Sequence, residues 1–136
     1  MIRLKVHVAN KGVAEGAAII CRKPFSFNSI NPATGTVDIM GHELSGKLVS
    51  DKIIVCPCGC GVSNEDRTLY ILRRAKGVPL AIIYGRRIFY IHISGAILAN
   101  IPMVYGLDQN CLSLIRDGDH VKVDGNFGFI EVTSQV

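Results

Sequence analysis

Residues 3–9, "RLKVHVA", alternate apolar and polar side chains with period two, which predicts a half-buried strand. Lys11-Gly12 turns the chain, and Gly16 leads into "AAIIC" (17–21), a short buried strand. "NPATG" (31–35) has turn chemistry: Asn31 and Pro32 start it and Gly35 supplies a positive φ. "TVDIM" (36–40) predicts another strand, and "KLVSDKIIVCP" (47–57) one or two strands ending at Pro57. In "EDRTLYILRRAKG" (65–77), Leu69, Leu72 and Ala75 recur at helical spacing and Gly77 supplies a stop. "LAIIY" (80–84) is apolar throughout, as in a strand buried on both faces. "RIFYIHISGAILAN" (87–100) predicts a second helix, with Gly95 permitting close packing, and "IPMVY" (101–105) a short strand. "HVKVDGNFGFIEV" (120–132) predicts a hairpin turning around Asp124-Gly125-Asn126. Many strands with two central helices indicate a β-rich α/β domain, barrel or sandwich, carrying a βαβα insertion. No repeat or linker divides the chain, so residues 1–136 are expected to form one domain.

Composition narrows the function classes. With 136 residues, 49% apolar and 19% charged, the chain can bury a core and is not of disordered type. The net charge is +4, but the basic residues are scattered and aromatics make up only 7%, which argues against a nucleic-acid surface. The N-terminus lacks the apolar stretch of a signal peptide. "IFYIHISGAILANIPMV" is too short, and too interrupted by His92, Asn100 and Pro102, to span a bilayer. A cytoplasmic protein without a membrane partner is expected. The five cysteines are an odd number, and reducing compartments disfavour disulfides, so thiols or a metal site remain.

The candidate chemistry centres on "CPCGCGVSNED" (56–66). Cys56, Cys58 and Cys60 have C-x-C-x-C spacing and would share one face of an extended strand, whereas structural zinc sites use longer knuckles with a second ligand pair. They can equally be small packing and loop residues. His42, His92 and His120 are isolated in sequence and read as core or surface histidines. A strand, Gly59 and Gly61, then a helix form a strand–glycine loop–helix junction. Ser63 is placed to cap that helix, whose N-terminus favours anions. Glu65 and Asp66 fall in its first turn, where their charge offsets the dipole and would repel a bound phosphate.

Several segments, in order, resemble the small-subunit, or swivel-domain, family of aconitase X. They are "KGVAEGAAI", "PFSFNSINPATGTV", "GHELSGKLVSDKIIVCP", "GVPLAIIY", "SGAILANIPMV" and "DGDHVKVDGNFGFIEV", which together span nearly the whole chain. The resemblance implies a swivelling β/β/α fold, barrel-like and similar to the mobile domain of aconitase. It implies a hydro-lyase of two parts, in which a large subunit holds an iron–sulfur cluster and this chain binds no metal of its own. It also implies a small phosphorylated hydroxy acid, mevalonate 5-phosphate, as substrate, dehydrated in isoprenoid precursor synthesis. The family brings a serine from a Gly-Ser-Ser turn into the shared cleft as the base. Here that turn is Gly61-Val62-Ser63, so valine replaces the first serine and Ser63 is the catalytic candidate. Gly59, Gly61, Ser26 and Asn31 are the substrate-binding candidates, with Asn31 standing where the family has an acid.

Other functions compete with this one. A dehydratase acting on hydroxyprolines uses the same fold. Val62, Glu65 and Asp66 suit a swivel-fold subunit that gates a partner without catalysis. The cysteine run suits a metal- or redox-binding protein. The dehydratase reading predicts an exposed apolar face for a large partner and no activity of this chain alone.

Overall fold

The computed structural model describes residues 1–59, 64–75 and 77–134. Its strands are β1 (Ile2–Lys5), β2 (His7–Asn10), β3 (Val13–Ile20), β4 (Ile53–Cys56), β5 (Ala81–Tyr84), β6 (Met103–Tyr105), β7 (His120–Asp124) and β8 (Phe129–Thr133). Its helices are α1 (Glu65–Arg74), α2 (Tyr90–Ala99) and the short α3 (Gln109–Leu112), with a 3-10 turn at Phe27–Ser29. The strand order is β1-β8-β7-β3-β4-β5-β6-β2. β1 and β2 occupy opposite ends of that order, yet only Val6 separates them in the chain. The sheet therefore closes on itself, and the predicted barrel-like α/β architecture is the one observed. Val6 is buried in the closure, and its N–H donates to the Gly128 carbonyl at 2.9 Å.

β3 makes the other crossing between the two halves of the sheet. Val13–Ala17 pair antiparallel with β7, and Ala18–Ile20 pair parallel with β4. The antiparallel half, with β1, β8 and β7, carries the hairpin expected from "HVKVDGNFGFIEV". In its turn the Asp124 carboxylate accepts the N–H groups of Asn126 and Phe127, each at 3.0 Å. The parallel half is β3-β4-β5-β6, with α1 and α2 as its crossovers, and is the predicted βαβα unit.

Period-two alternation explains the buried strands. Ile53, Val55, Ala81, Ile83 and Val104 face the barrel interior with Val121, Val123, Ile130 and Val132. Ile54, Cys56, Ile82, Tyr84 and Met103 face the helices. Both faces are dry, so neither β4 nor β5 has a polar position to alternate with. The helix-side core is completed by Phe25, Phe27, Ile30, Val37, Leu44 and Val49 from the long connection between β3 and β4.

Three predicted elements differ from the structure, the first being "RLKVHVA", which is split at Val6 into β1 and β2 so that its two parts pair with different strands. "TVDIM" is not a strand: Thr36 and Val37 make only isolated bridges, and Gly35, Gly41 and Gly46, all at positive φ, turn the chain before a ladder can form. α1 begins at Glu65 with Asn64 at the N-cap, in the left-handed conformation at φ 72°, rather than with Ser63 at that position. α3 was not anticipated, because four residues carry too little periodicity to register. No helix among the described residues is long and apolar enough to cross a membrane.

α1 and α2 cross at Gly95. A Cβ there would lie 2.7 Å from Leu69 Cδ1 and 2.9 Å from the Asp66 Cα. In an open helix Gly→Ala gains about 1 kcal/mol. Here overpacking against backbone costs about 1–3 kcal/mol. Gly95→Ala is therefore expected to lower the urea midpoint at unchanged m-value; a raised midpoint would show that the helices do not touch there.

Candidate functional site

The parallel strands all point their carboxyl ends to one edge, where ligands gather in open α/β sheets. Ile20 ends β3, Cys56 ends β4 and Gly85 follows β5. Two adjoining clefts open at this edge, of about 560 and about 520 Å³, sharing Pro57, Gln109 and Leu112 as walls. Arg22 and Arg116 line the first, and Arg86 and Arg87 the second. Among the described residues, none of the four makes an ion pair. The two acids beside them are committed to backbone: Asp117 accepts from the Ile20 N–H at 2.7 Å, and Asp108 from the Cys111 N–H at 2.8 Å. The Cys111 N–H bond, the Cys111 thiol and then the Arg86 charge hold the Asp108 carboxyl below its usual range. The same Asp108 contact, with burial, pushes the Cys111 thiol up, so it is a poor nucleophile at neutral pH. With four arginines against these two acids, the edge is a cleft of net positive charge.

Behind the cleft, on the helix side of the sheet, lies a chain of buried polar groups. Glu65 and His92 are both 0% exposed, as is Tyr84. Glu65 Oε1 accepts from Ser26 Oγ at 2.6 Å and from the Phe27 N–H at 2.7 Å. Its Oε2 hydrogen-bonds His92 Nε2, and His92 Nδ1 meets the Tyr84 hydroxyl at 2.8 Å. Among the described residues, no buried side-chain nitrogen or oxygen lacks a partner. Glu65 therefore points inward and is not the exposed first-turn charge expected from its position in the helix. Asp66 is half-buried and takes the Arg67 N–H at 2.8 Å.

Pro57–Gly59 run between these two features. Pro57 and Cys58 face the cleft, while buried Gly59 lies against the His92 ring. Ser26 is half-buried; besides donating to Glu65 it accepts from the Asn28 N–H at 3.2 Å. The structure thus brings Ser26 and Gly59 together around the Glu65–His92 pair. It places Asn31 elsewhere: the Asn31 side chain accepts from the Ala33 N–H at 2.9 Å and opens the turn at Gly77, beyond the far end of α1. Ser63 and Gly61, with Cys60 and Val62, lie outside the described residues.

No three of the described His, Cys, Asp and Glu residues stand close enough to hold a metal ion. Cys56 is buried at the end of β4, and Cys58 is half-buried in the cleft wall. Cys21 donates its thiol to the Lys23 carbonyl at 3.0 Å. The described residues of this chain therefore do not fit an iron–sulfur cluster. Sequence inspection missed Glu65, Tyr84 and the Arg86–Arg87 pair. One signal was available for the first: a histidine inside the apolar helix "YIHISGAILA" needs a buried partner, and the first turn of the helix packed on Gly95 offers an acid.

Comparison with known proteins agrees with this architecture. The family model described as the aconitase X swivel domain matches residues 3–132. The phosphomevalonate dehydratase small subunit of Methanosarcina mazei is 36% identical over 98% of this chain and 93% of its own. That of Pyrococcus furiosus is 34% identical over 98% of both chains. Among solved structures, Thermococcus kodakaraensis aconitase X in its holo-form superposes with a TM-score of 0.91 at 35% identity, covering 98% of this chain and all of the other. On the match over residues 3–132 and these near full-length relatives, the chain belongs to the aconitase X swivel-domain family.

Proposed function

We propose that this chain is the small subunit of a two-subunit hydro-lyase that dehydrates a small phosphorylated hydroxy acid, mevalonate 5-phosphate, in the cytoplasm. The observation that carries the reading is the cationic cleft at the carboxyl edge of the parallel strands, beside the segment that leads to Ser63. The names of the relatives supply the substrate and the reaction. In the reaction, Ser63 as an alkoxide takes the proton from the carbon next to the one bearing the hydroxyl. The electron pair of that C–H bond forms the new double bond, the hydroxyl departs as hydroxide, and the proton taken by Ser63 passes to it to give water and restore the alkoxide. A serine hydroxyl does this only where donors and positive charge stabilise its anion. Gly59 and Ser26 stand together at the Glu65–His92 pair, and Arg86 and Arg87 take the phosphate as charge-assisted donors. In this reading the iron–sulfur cluster that the family implies sits on the large subunit.

The outer face of α2 supports a large partner. A helix that is apolar all round is normally covered. Yet Tyr90, Ile97 and Leu98 of α2 are 90%, 60% and 55% exposed, with Tyr70 and Ile71 of α1 exposed nearby. Val62, in place of the family's first serine, favours a second reading, a subunit that gates the partner without catalysis, and the same assay separates the two.

Three results are expected from the chain co-expressed with its large subunit and purified anaerobically. Ser63→Ala should lower kcat by about 10²–10⁴-fold, the usual worth of a positioned base, with the complex intact. Arg86→Ala combined with Arg87→Ala should raise KM for the phosphorylated acid about tenfold or more at little cost in kcat, since uniform binding is what it removes. Ile97→Lys with Leu98→Lys should abolish co-purification of the large subunit. Wild-type complex that holds its cluster but shows no turnover would support the gating reading instead.

A further inference from the structure

The carboxyl edge holds two clefts, and either alone has the size of a small-molecule pocket. The second, of about 520 Å³, carries Arg86 and Arg87 and is room enough for a small phosphorylated acid. The first, of about 560 Å³, has an apolar floor and a pair of cations of its own. Val55 and Ile115 are buried there, and Ile20 and Leu112 pack beside them on the barrel side of the sheet. Arg22 and Arg116 line the same cleft and are exposed. The acids near them are turned to the backbone. Asp117 accepts from the Ile20 N–H at 2.7 Å and Asp119 from the Arg116 N–H at 2.9 Å. Glu43 accepts from the Arg22 N–H at 2.5 Å and the Lys23 N–H at 3.2 Å. These carboxylates shape the turns that carry the arginines. Among the described residues, neither guanidinium is in an ion pair.

From this arrangement we propose that the first cleft is a ligand site in its own right, separate from the one that takes the substrate's phosphate. Its ligand is a small molecule with a short apolar body and an anionic head, phosphate or carboxylate. The head lies at Arg22 and Arg116, whose planar forks suit either group. The body covers Val55, Ile115, Ile20 and Leu112. Other ligand classes fit less well. A cation meets two like charges, and a wholly apolar molecule strips water from the guanidinium groups without replacing it. A nucleotide base finds no platform, since no aromatic side chain lines the cleft among the described residues. A bare anion leaves the apolar floor wet. The site depends neither on Ser63 nor on which acid the complex dehydrates.

The test titrates hexyl phosphate, methyl phosphate and hexanoate into the two-subunit complex by calorimetry. Backbone amide shifts of the isotopically labelled full chain locate the binding. Arg86→Ala combined with Arg87→Ala removes the cations of the second cleft and isolates the first. Hexyl phosphate should bind this variant about tenfold or more tighter than methyl phosphate, because only the longer chain covers the floor. Adding Arg22→Ala and Arg116→Ala should weaken that binding about tenfold or more, through loss of the charge-assisted donors. All four arginines are exposed, so the variants should keep the wild-type urea midpoint. Shifts should concentrate at residues 20–22, 55 and 112–116. Hexanoate separates the two heads: displacing hexyl phosphate at comparable concentration names a carboxylate ligand, and failing to displace it names a phosphate.

No binding to the isolated first cleft, equal affinity for the two phosphates, or affinity indifferent to Arg22 and Arg116 would each overturn the proposal. Binding to the chain alone that vanishes in the complex would overturn it too, by making the cleft part of the subunit interface. KM for the phosphorylated acid, measured alongside, keeps the two ideas apart. If it rises about tenfold with Arg22→Ala and Arg116→Ala, the first cleft is the substrate's own and the separate site fails. If it stays unchanged with Arg86→Ala and Arg87→Ala, the reading of the second cleft is what fails, and the titrations still report on the first.

Discussion

A carboxyl group and an imidazole removed from water together constrain everything around them. Taking away one member of such a pair strands the other, at a cost of about 3–5 kcal/mol, so the fold must deliver both and satisfy each remaining polar atom. Here that requirement reaches into four parts of the chain. The β3–β4 connection must bring in Ser26 and the Phe27 N–H, α1 must start at Glu65, β5 must end on Tyr84, and α2 must carry His92 inward. Two glycines follow from the same demand. Gly95 lets α2 approach α1 closely enough for the bond, and Gly59 leaves room for the ring.

The closed sheet makes this arrangement affordable. β1 and β2 seal the barrel through Val6, and β3 passes from antiparallel to parallel pairing halfway along its length. The antiparallel half, with one face toward solvent, supplies a stable wall. The parallel half, dry on both faces, sets three strand ends at one edge. Two surfaces meet at that edge. One is the cationic cleft with Arg86 and Arg87, and the other is the buried Glu65–His92 pair, whose ring rests against Gly59. Pro57–Gly59 occupy the strip between them.

Much of this architecture is legible from periodicity. "LAIIY" and "IIVC" have no polar alternate, which only a doubly buried strand tolerates, and both are such strands. "HVKVDGNFGFIEV" alternates on each side of turn residues and forms the hairpin. "TVDIM" alternates equally well but is no strand, because a ladder depends on partners far away in sequence and flanking glycines at positive φ turn the chain off. The site is less legible than the fold. Glu65 follows the rule for an exposed first-turn acid, and nothing local distinguishes it from Asp66. Only its contact with a histidine 27 residues away reveals it as buried. Arg86 and Arg87 look like two more scattered basic residues until β5 delivers them to the edge where Arg22 and Arg116 also stand. Asn31 has turn chemistry in the sequence, and turn chemistry is what the fold uses it for.

The most direct test is a crystal structure of the two-subunit complex with an unreactive analogue of mevalonate 5-phosphate bound. The account predicts Ser63 Oγ within about 3.5 Å of the carbon that would lose its proton, the separation of a near-attack geometry. In the same structure, Gly59 should still rest on His92 and the phosphate should lie at Arg86 and Arg87. An analogue bound wholly by the large subunit, with Ser63 turned away from it and the arginine cleft filled by protein, would contradict the account.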